Sequence, residues 1–405
     1  MSKNIWIVNH YAFPPYLPGG TRHFDLGKKL VDKGYNVTIL ASSFHYHKLQ
    51  DFKEYQPNQV YLKENIDGVN FVWLKTSIYS KNNWRRFVNM ISFNKSFNAY
   101  LKKETFKKPH TIIGSSIHMF AVYAAYKASL KYKSRFYMEV RDLWPQTLID
   151  MGMSRLHPVV LLFGFLEKYL YKKAEKIITL LPKSISYIEQ KGVHRSKIYW
   201  LPNGVDLSRF EKPSEPRTNN IFTVVYTGII GVINRLDLAI EAAEILKERQ
   251  INDVFFRIVG DGQERERLIK IVEENKLTNI EFVGSVPKEN VHQELANADV
   301  LFFALADSPV YKYGLSANKL FDYLASRKPI IFSCKAGNDP VKESGAGISI
   351  PPDNPEKVVE AILKIKDTSK EDLTIMGEKG YNYVKQIHGM ESLSNKLESI
   401  ILEKL

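Results

Sequence analysis

The chain is poor in what several protein classes need. It has one cysteine, Cys334, in 405 residues. A lone thiol closes no internal disulfide, which excludes a disulfide-stapled extracellular scaffold and points to a reducing compartment. No stretch offers the roughly 20 uncharged apolar residues of a membrane-spanning helix; the most apolar segment, Pro158 to Leu166, runs into Glu167 and Lys168. Ile5-Trp6-Ile7-Val8, behind Met1-Ser2-Lys3-Asn4, is too brief for the apolar core of a signal peptide. The chain is expected not to cross a membrane, although it can lie on one. No Asp-x-Asp stands at a strand end and no His/Cys cluster has metal-ligand spacing, so no metal is expected. Acids are nearly missing from residues 75–135, which hold 13 Lys+Arg and only Glu104.

What is present fits a soluble globular protein: 44% apolar and 25% charged residues. The length exceeds one compact core and suits two domains of about 200 residues. The net charge of +13 is uneven. Residues 1–205 carry 31 Lys+Arg against 13 Asp+Glu, whereas residues 206–405 carry 26 against 31. Only the first half asks for an anionic partner.

Strand and helix patterns alternate from the start. Asn4–Asn9 reads as a buried strand and 21–34 as a helix ending at Gly34. Asn36–Ala41, His110–Ser115, Arg135–Val140 and Lys176–Leu181 read as further strands. The grammar restarts after residue 205 with strands at Phe222–Thr227, Val254–Gly260, Ile280–Gly284, Val300–Phe303 and Pro329–Ser333. Helices are expected between them, at Leu236–Arg249, Gln263–Asn275, Val291–Ala296 and Asn318–Ser326. This alternation predicts an α/β fold of two Rossmann-like, doubly wound domains with parallel sheets. The expected boundaries are 1–205 and 206–385, with Leu207–Asn220 as a linker. A last helix within 386–405 is expected to pack back on the first domain. Ligands of such sheets bind at the carboxyl ends of strands.

Three segments are candidates for chemistry. Gly19-Gly20-Thr21 follows the first strand and opens a helix, so backbone N–H groups can meet a phosphate; the alternative is a plain turn. Neither it nor Val259-Gly260-Asp261-Gly262 completes a dinucleotide fingerprint, and both suit one nucleotide better than a dinucleotide. Glu139-Val140-Arg141-Asp142-Leu143-Trp144-Pro145 ends a strand. There Arg141 can hold an anion, Asp142 a hydroxyl, and Trp144 can stack on a sugar or prenyl chain; the alternative is an ion pair of Arg141 with Glu139 or Asp142. Tyr313 to Ala325 carries Gly314, Leu315 and Ser316 into a helix start at Asn318 and Lys319, suited to a phosphate, with Asp322 one turn on for a ribose. The alternative is a capped helix with a Lys319–Asp322 pair.

Together with Leu201-Pro202-Asn203-Gly204-Val205-Asp206, Tyr226-Thr227-Gly228 and Phe282-Val283-Gly284, these segments resemble the GT-B glycosyltransferases of family 4 over nearly the whole chain. Arg141-Asp142-Leu143-Trp144-Pro145 with Asn318-Lys319-Leu320-Phe321-Asp322-Tyr323 is similar to a bacterial subgroup that builds surface polysaccharides (O-antigen, capsule), including N-acetyl-fucosamine-type transferases. The resemblance implies a retaining transfer of a sugar, N-acetylated in that subgroup, from a UDP-sugar to a polyprenyl-diphosphate-linked sugar. It implies donor contacts at Gly19, Gly20, Gly228, Arg235, Gly260, Gly284, Gly314, Leu315, Ser316, Asn318, Lys319 and Asp322. It assigns catalytic work to Arg141, Asp142 and Lys319, with no cofactor beyond the donor. The chain departs from the family in having Gly314 for a donor-sugar Glu, Ile229 and Asn234 for the usual Arg and Lys, and Arg141 for a His. Arg235 and Lys319 are the nearest basic substitutes, and transfer is expected to need no metal.

The basic stretch 75–135 interleaves its charge with 11 aromatics. Such a mixture suits an anionic membrane surface or a nucleic acid; the plain alternative is a solvated helix whose aromatics are core. No nucleic-acid-binding signature accompanies the charge, so no nucleic-acid partner is expected. Trp84, Arg85 and Arg86, with Trp144, are read as the acceptor and membrane side, placing the protein at the cytoplasmic face of the inner membrane. A sugar-nucleotide epimerase and a non-catalytic nucleic-acid or lipid binder stand as rival readings.

Overall fold

The computed structural model describes residues 3–17, 19–46, 48–80, 84–104, 107–211 and 221–403. Most of the expected linker therefore lies outside the described residues; its first part, Leu207–Phe210, is a turn of 3-10 helix. The chain forms two compact units, Met1–Asn203 with Leu393–Leu405, and Gly204–Ser392.

The first unit is built on an eight-stranded sheet. Across it run Ile198–Trp200, Lys176–Thr179, Arg135–Val140, Thr111–Ser115, Asn4–Val8, Asn36–Ser42, Val69–Leu74 and Tyr61–Ile66. All neighbours are parallel except the last pair. Central strands such as Ile5-Trp6-Ile7-Val8 are buried along their length, as a sheet covered on both faces requires. The helix Arg22–Asp32 lies close on the sheet because Gly27 has no side chain: a Cβ there would stand 3.3 Å from Val37. The antiparallel pair turns at Asp67 (φ 48°) and Gly68 (φ 86°), the two-residue Asp-Gly geometry that matches strand twist.

The second unit is an all-parallel six-stranded sheet, ordered Ile280–Gly284, Val254–Val259, Phe222–Thr227, Val300–Ala304, Ile330–Ser333 and Gly347–Ile350. Buried Leu238, Ala242 and Leu246 of the helix Asp237–Glu248 pack on one face of it, and Leu320, Phe321 and Leu324 of Asn318–Ala325 belong to a second core cluster.

The last helix, Met390–Leu402, returns to the first unit. Lys176, fully buried, donates to the carbonyls of Ile400 (2.7 Å) and Glu403 (3.0 Å), and Arg135 donates to those of Ile401 and Glu403. Two cations thus satisfy the helix's orphan carbonyls and its negative dipole end. Each sheet has one point where successive connections diverge, between Asn4–Val8 and Thr111–Ser115 and between Phe222–Thr227 and Val300–Ala304. Crevices form outside the carboxyl ends of strands at such points.

Candidate active site

In the second unit the loop after Phe222–Thr227 and the loop after Val254–Val259 lie against each other. Gly228 N–H donates to the Val259 carbonyl (2.9 Å), Ile230 N–H to Asp261 (2.9 Å) and Gly260 N–H to Gly284 (2.8 Å). The approach is so close that a Cβ on Gly260 (φ 147°) would meet the Gly228 carbonyl oxygen at 1.8 Å. Three predicted glycines, Gly228, Gly260 and Gly284, are thereby brought together at the strand ends. Beside them opens a cavity of about 220 Å³ lined by Thr227–Ile229, Val259–Asp261 and Ser285–Val286.

Lys319, in the first turn of Asn318–Ala325, extends into the same place. Its Nζ donates to Tyr226 Oη (2.9 Å) and Asn234 Oδ1 (2.8 Å) and lies 4.4 Å from the centre of the Tyr226 ring. It forms no ion pair among the described residues, so the Lys319–Asp322 pair is not made. Part of its surface stays accessible. Its surroundings are nevertheless uncharged protein, and desolvation lowers the ammonium to about 7. The helix start carries no side-chain cap at Ala317. Asn318 is exposed, and Asp322 is half-buried one turn on.

Other predicted donor residues are placed differently. Arg235 donates from Nε to Asp353 (2.5 Å), with Asp237 3.8 Å away, so its charge is already answered. The Leu315 N–H donates to Asn338 Oδ1 (2.6 Å), and Asn338 Nδ2 donates back to the Leu315 carbonyl (3.2 Å). The Gly314 N–H is taken by Tyr311 (2.9 Å). Where Gly314 stands for the family's donor-sugar Glu, these two backbone N–H groups are therefore engaged within the protein. Ser316 is half-buried beside them.

In the first unit, Glu139 is the hub. Its carboxylate accepts from Arg22 Nε (2.9 Å), His23 Nε2 (2.7 Å) and Ser115 Oγ (2.7 Å). Arg22 also donates to the Leu201 carbonyl (2.9 Å) and to that of Pro202. Burial alone would raise the Glu139 carboxyl, but His23 and Arg22 outweigh it and hold the group well below the carboxylate range. Glu139 is thus paired with Arg22 rather than Arg141. Arg141 is half-buried and its guanidinium makes no hydrogen bond or ion pair among the described residues; Asp142 is exposed. Trp144 is half-buried, edge-on to Phe163 (5.9 Å), with its Nε1–H buried and without a hydrogen-bond partner among the described residues.

Gly19 (φ 137°) is exposed and cannot take a side chain, since a Cβ would strike Phe13 at 2.5 Å. The helix it precedes has no side-chain cap at Thr21, which leaves first-turn N–H groups for an anion. Pro18 lies outside the described residues.

Two histidines were missed by reading the sequence. His10 follows the strand Asn4–Val8 and His118 follows Thr111–Ser115, so both occupy the point of divergence. Their rings bond, His10 Nδ1 to His118 Nε2, at 2.8 Å. His118 Nδ1 accepts the Ala121 N–H (3.2 Å), which fixes Nε2–H as the donor to His10 and puts the remaining His10 proton on Nε2, buried without an acceptor in hydrogen-bond geometry among the described residues. Burial lowers both rings, His118 to about 3, and the Arg86 charge lowers both further. The Arg86 charge thus acts on both histidines, and it and Arg141 both act on Tyr46. The only signal in the sequence was a histidine just beyond each of two strands.

Family profiles cover most of the chain. One described as Glycosyltransferase Family 4 matches residues 19–209, and one described as Glycosyl transferases group 1 matches 221–367. Over 293 residues the chain is 22% identical to WcaI of Escherichia coli (strain K12), described as a colanic acid biosynthesis glycosyl transferase; this spans 68% of the chain and 70% of that protein. The fold is shared with sucrose-phosphate synthase (tll1590) from Thermosynechococcus elongatus, at TM-score 0.75, 16% identity and 98% of both chains. It is shared also with Anabaena Alr3699/HepE in complex with UDP and glucose, at TM-score 0.67, 11% identity and 100% of both chains.

Proposed function

Because the chain belongs to the group 1 and family 4 glycosyltransferases, with the two Rossmann-like domains of the GT-B fold, we propose that it transfers a sugar from a UDP-sugar to a polyprenyl-diphosphate-linked sugar in surface-polysaccharide synthesis. The observation that carries the reading is Lys319. A half-desolvated ammonium with only neutral partners, beside glycine loops that expose backbone, is short of one counter-charge. The donor diphosphate supplies it. As the glycosyl bond breaks, negative charge grows on that diphosphate, and Lys319 with the uncapped helix start at Asn318 stabilises it. Charge neutralisation by the protein makes the reaction independent of added metal. Arg235, already paired, is left out of this step, and Asp322 is assigned the ribose.

The first domain is assigned the acceptor, with Arg141 and Arg86 as the cations for its diphosphate and Asp142 for a sugar hydroxyl. No protein carboxylate in this assignment serves as a covalent nucleophile, so retention proceeds by attack on the face the leaving group departs from. What supports the polysaccharide setting is the likeness to WcaI; what supports the nucleotide is the UDP bound by HepE. The N-acetylated, fucosamine-type donor rests on the motif resemblance alone.

Two measurements test the reading. Thermal stabilisation against a panel of nucleotides and nucleotide sugars should show the largest shifts with UDP and UDP-N-acetylhexosamines, by about 2.7 kcal/mol at a ligand concentration a hundred times Kd. Slow UDP release from the donor without acceptor should persist in EDTA. Shifts with other nucleotides only, or sugar isomerisation without UDP release, would overturn it; the latter outcome marks an epimerase.

A further inference from the structure

The aromatics of the basic stretch 75–135 are divided between core and surface. Phe93, Phe97 and Tyr100 of the helix Trp84–Lys103 are buried, as is Tyr126. Trp84, Val88 and Ile91 of the same helix stay exposed, and a second exposed apolar face lies on the helix Pro158–Lys173. Val160, Phe163, Leu170 and Tyr171 face the core, while Leu161, Leu162 and Phe165 are 57%, 43% and 67% exposed. One helical turn further along the same face come Lys168 and Lys172, both exposed, with Lys173 beside them. The helix's one acid, Glu167, is fully buried and paired with Lys191 at 3.2 Å. Every charge this helix shows to solvent is therefore positive. Before it, Met151 and Leu156 are 73% and 80% exposed. Alongside it, Phe87 stacks on Phe163 at 6.2 Å and so brings up the N-terminal end of Trp84–Lys103, where Trp84 is 71% exposed and Arg85 lies over its ring.

We propose that the outer face of Pro158–Lys173 docks on an anionic lipid bilayer, with Leu161, Leu162 and Phe165 entering the acyl boundary and the lysines meeting headgroups. Single exposed apolar residues are ordinary, but three within two turns, continued by lysines and joined by a flanking Trp, match an interfacial helix. The charge chooses the occupant. A second copy would bring lysine against lysine, whereas anionic headgroups attract each one. The inference rests on the lipid-linked acceptor of the proposed function, because docking here would hold the first domain at the surface where that acceptor lies.

Vesicle sedimentation tests it, with phosphatidylcholine alone or mixed with phosphatidylglycerol. The wild-type protein should sediment with the mixed vesicles only. The Leu161→Ser/Phe165→Ser double variant should partition at least about tenfold less, as two large apolar side chains no longer leave water. A Phe165→Cys variant carrying an environment-sensitive fluorophore, with buried Cys334 unlabelled, should shift to the blue on mixed vesicles. An unchanged emission, equal sedimentation of the double variant, or a concentration-dependent dimer abolished by that variant would overturn the proposal. UDP release in solution, measured on the same proteins, separates the two readings. Normal release with lost sedimentation is the expected result. Absent release in the wild type refutes the transferase reading and leaves the vesicle result to stand or fall by itself.

Discussion

Lys319 ties the proposed chemistry to a proton. In the free protein its ammonium is lowered to about 7 by desolvation. A bound diphosphate restores counter-charge, so the value rises toward the ordinary lysine range near 10.4. Donor binding above pH 7 must then take up a proton. At pH 8 about nine-tenths of the free protein has neutral Lys319, so about 0.9 proton is expected per UDP bound. Linkage gives the affinity: between pH 7 and 8.5, Kd should weaken about 15-fold, with the slope approaching tenfold per unit. Calorimetric titration with UDP in two buffers of different ionisation enthalpy reads the uptake directly. Lys319→Met should lose both the uptake and the slope, and kcat should fall by about 10² to 10³, the scale of one lost oxyanion donor. A wild-type Kd that is flat from pH 7 to 8.5, with no buffer dependence of the enthalpy, would refute the placement of the diphosphate at Lys319.

The remaining predictions concern the frame around the two half-sites. Gly260→Ala puts a Cβ at 1.8 Å from the Gly228 oxygen in a left-handed conformation; UDP affinity measured by calorimetry should drop more than about tenfold as the loops part, at about 2–3 kcal/mol in stability. Asn338→Ala frees the Leu315 backbone and should change donor KM or kcat by roughly five- to thirtyfold, the loss of one to two net hydrogen bonds, while UDP affinity changes less. Glu139→Gln leaves the Arg22 guanidinium buried opposite a neutral group and should cost about 3–5 kcal/mol by urea unfolding of the first domain. His118 is lower in the folded chain than in the unfolded one, so its contribution is full above about pH 6.5 and is lost as pH falls toward about 3. That difference is worth up to about 4–5 kcal/mol, and His118→Gln should flatten this acid limb in denaturation curves at successive pH values.

Much of the fold was legible because its signals are local. A strand such as Phe222–Thr227 is a short apolar run with Gly228 directly behind it, and the observed bounds coincide with the expected ones. The edge pair Tyr61–Ile66 and Val69–Leu74 was not anticipated, although Asp67-Gly68 marks its turn. Its outer strand alternates only between half-buried and exposed positions, so no clear apolar period announces it. In the basic stretch, composition does not separate core rings from surface charge. Composition counts Phe93, Phe97 and Tyr100 beside Lys95, Lys102 and Lys103, but a helix sorts them. Spacings of three and four turn the rings inward and leave the lysines outside.

The site was legible by residue type and not by partnership. Arg141, Arg235 and Lys319 look equivalent as three cations near strand ends and helix starts. What separates them is whether another charge answers theirs, and the answering groups come from far along the chain. Asp353, 118 positions from Arg235, neutralises it. Arg22, 117 positions from Glu139, takes that carboxylate, two positions before Arg141. Arg141 makes no ion pair among the described residues, although its charge acts on Glu139 and Asp142, and Lys319 donates to the neutral Tyr226 and Asn234. A cation whose charge is already matched gains little from an incoming phosphate, since each new contact must replace an existing one. A cation held among neutral groups gains the whole interaction. Lys319, held among neutral groups, is therefore the position where binding an anionic substrate changes the protein's energy most. Arg235→Ala serves as the control: it should leave UDP affinity within about threefold of wild type, whereas Lys319→Met does not.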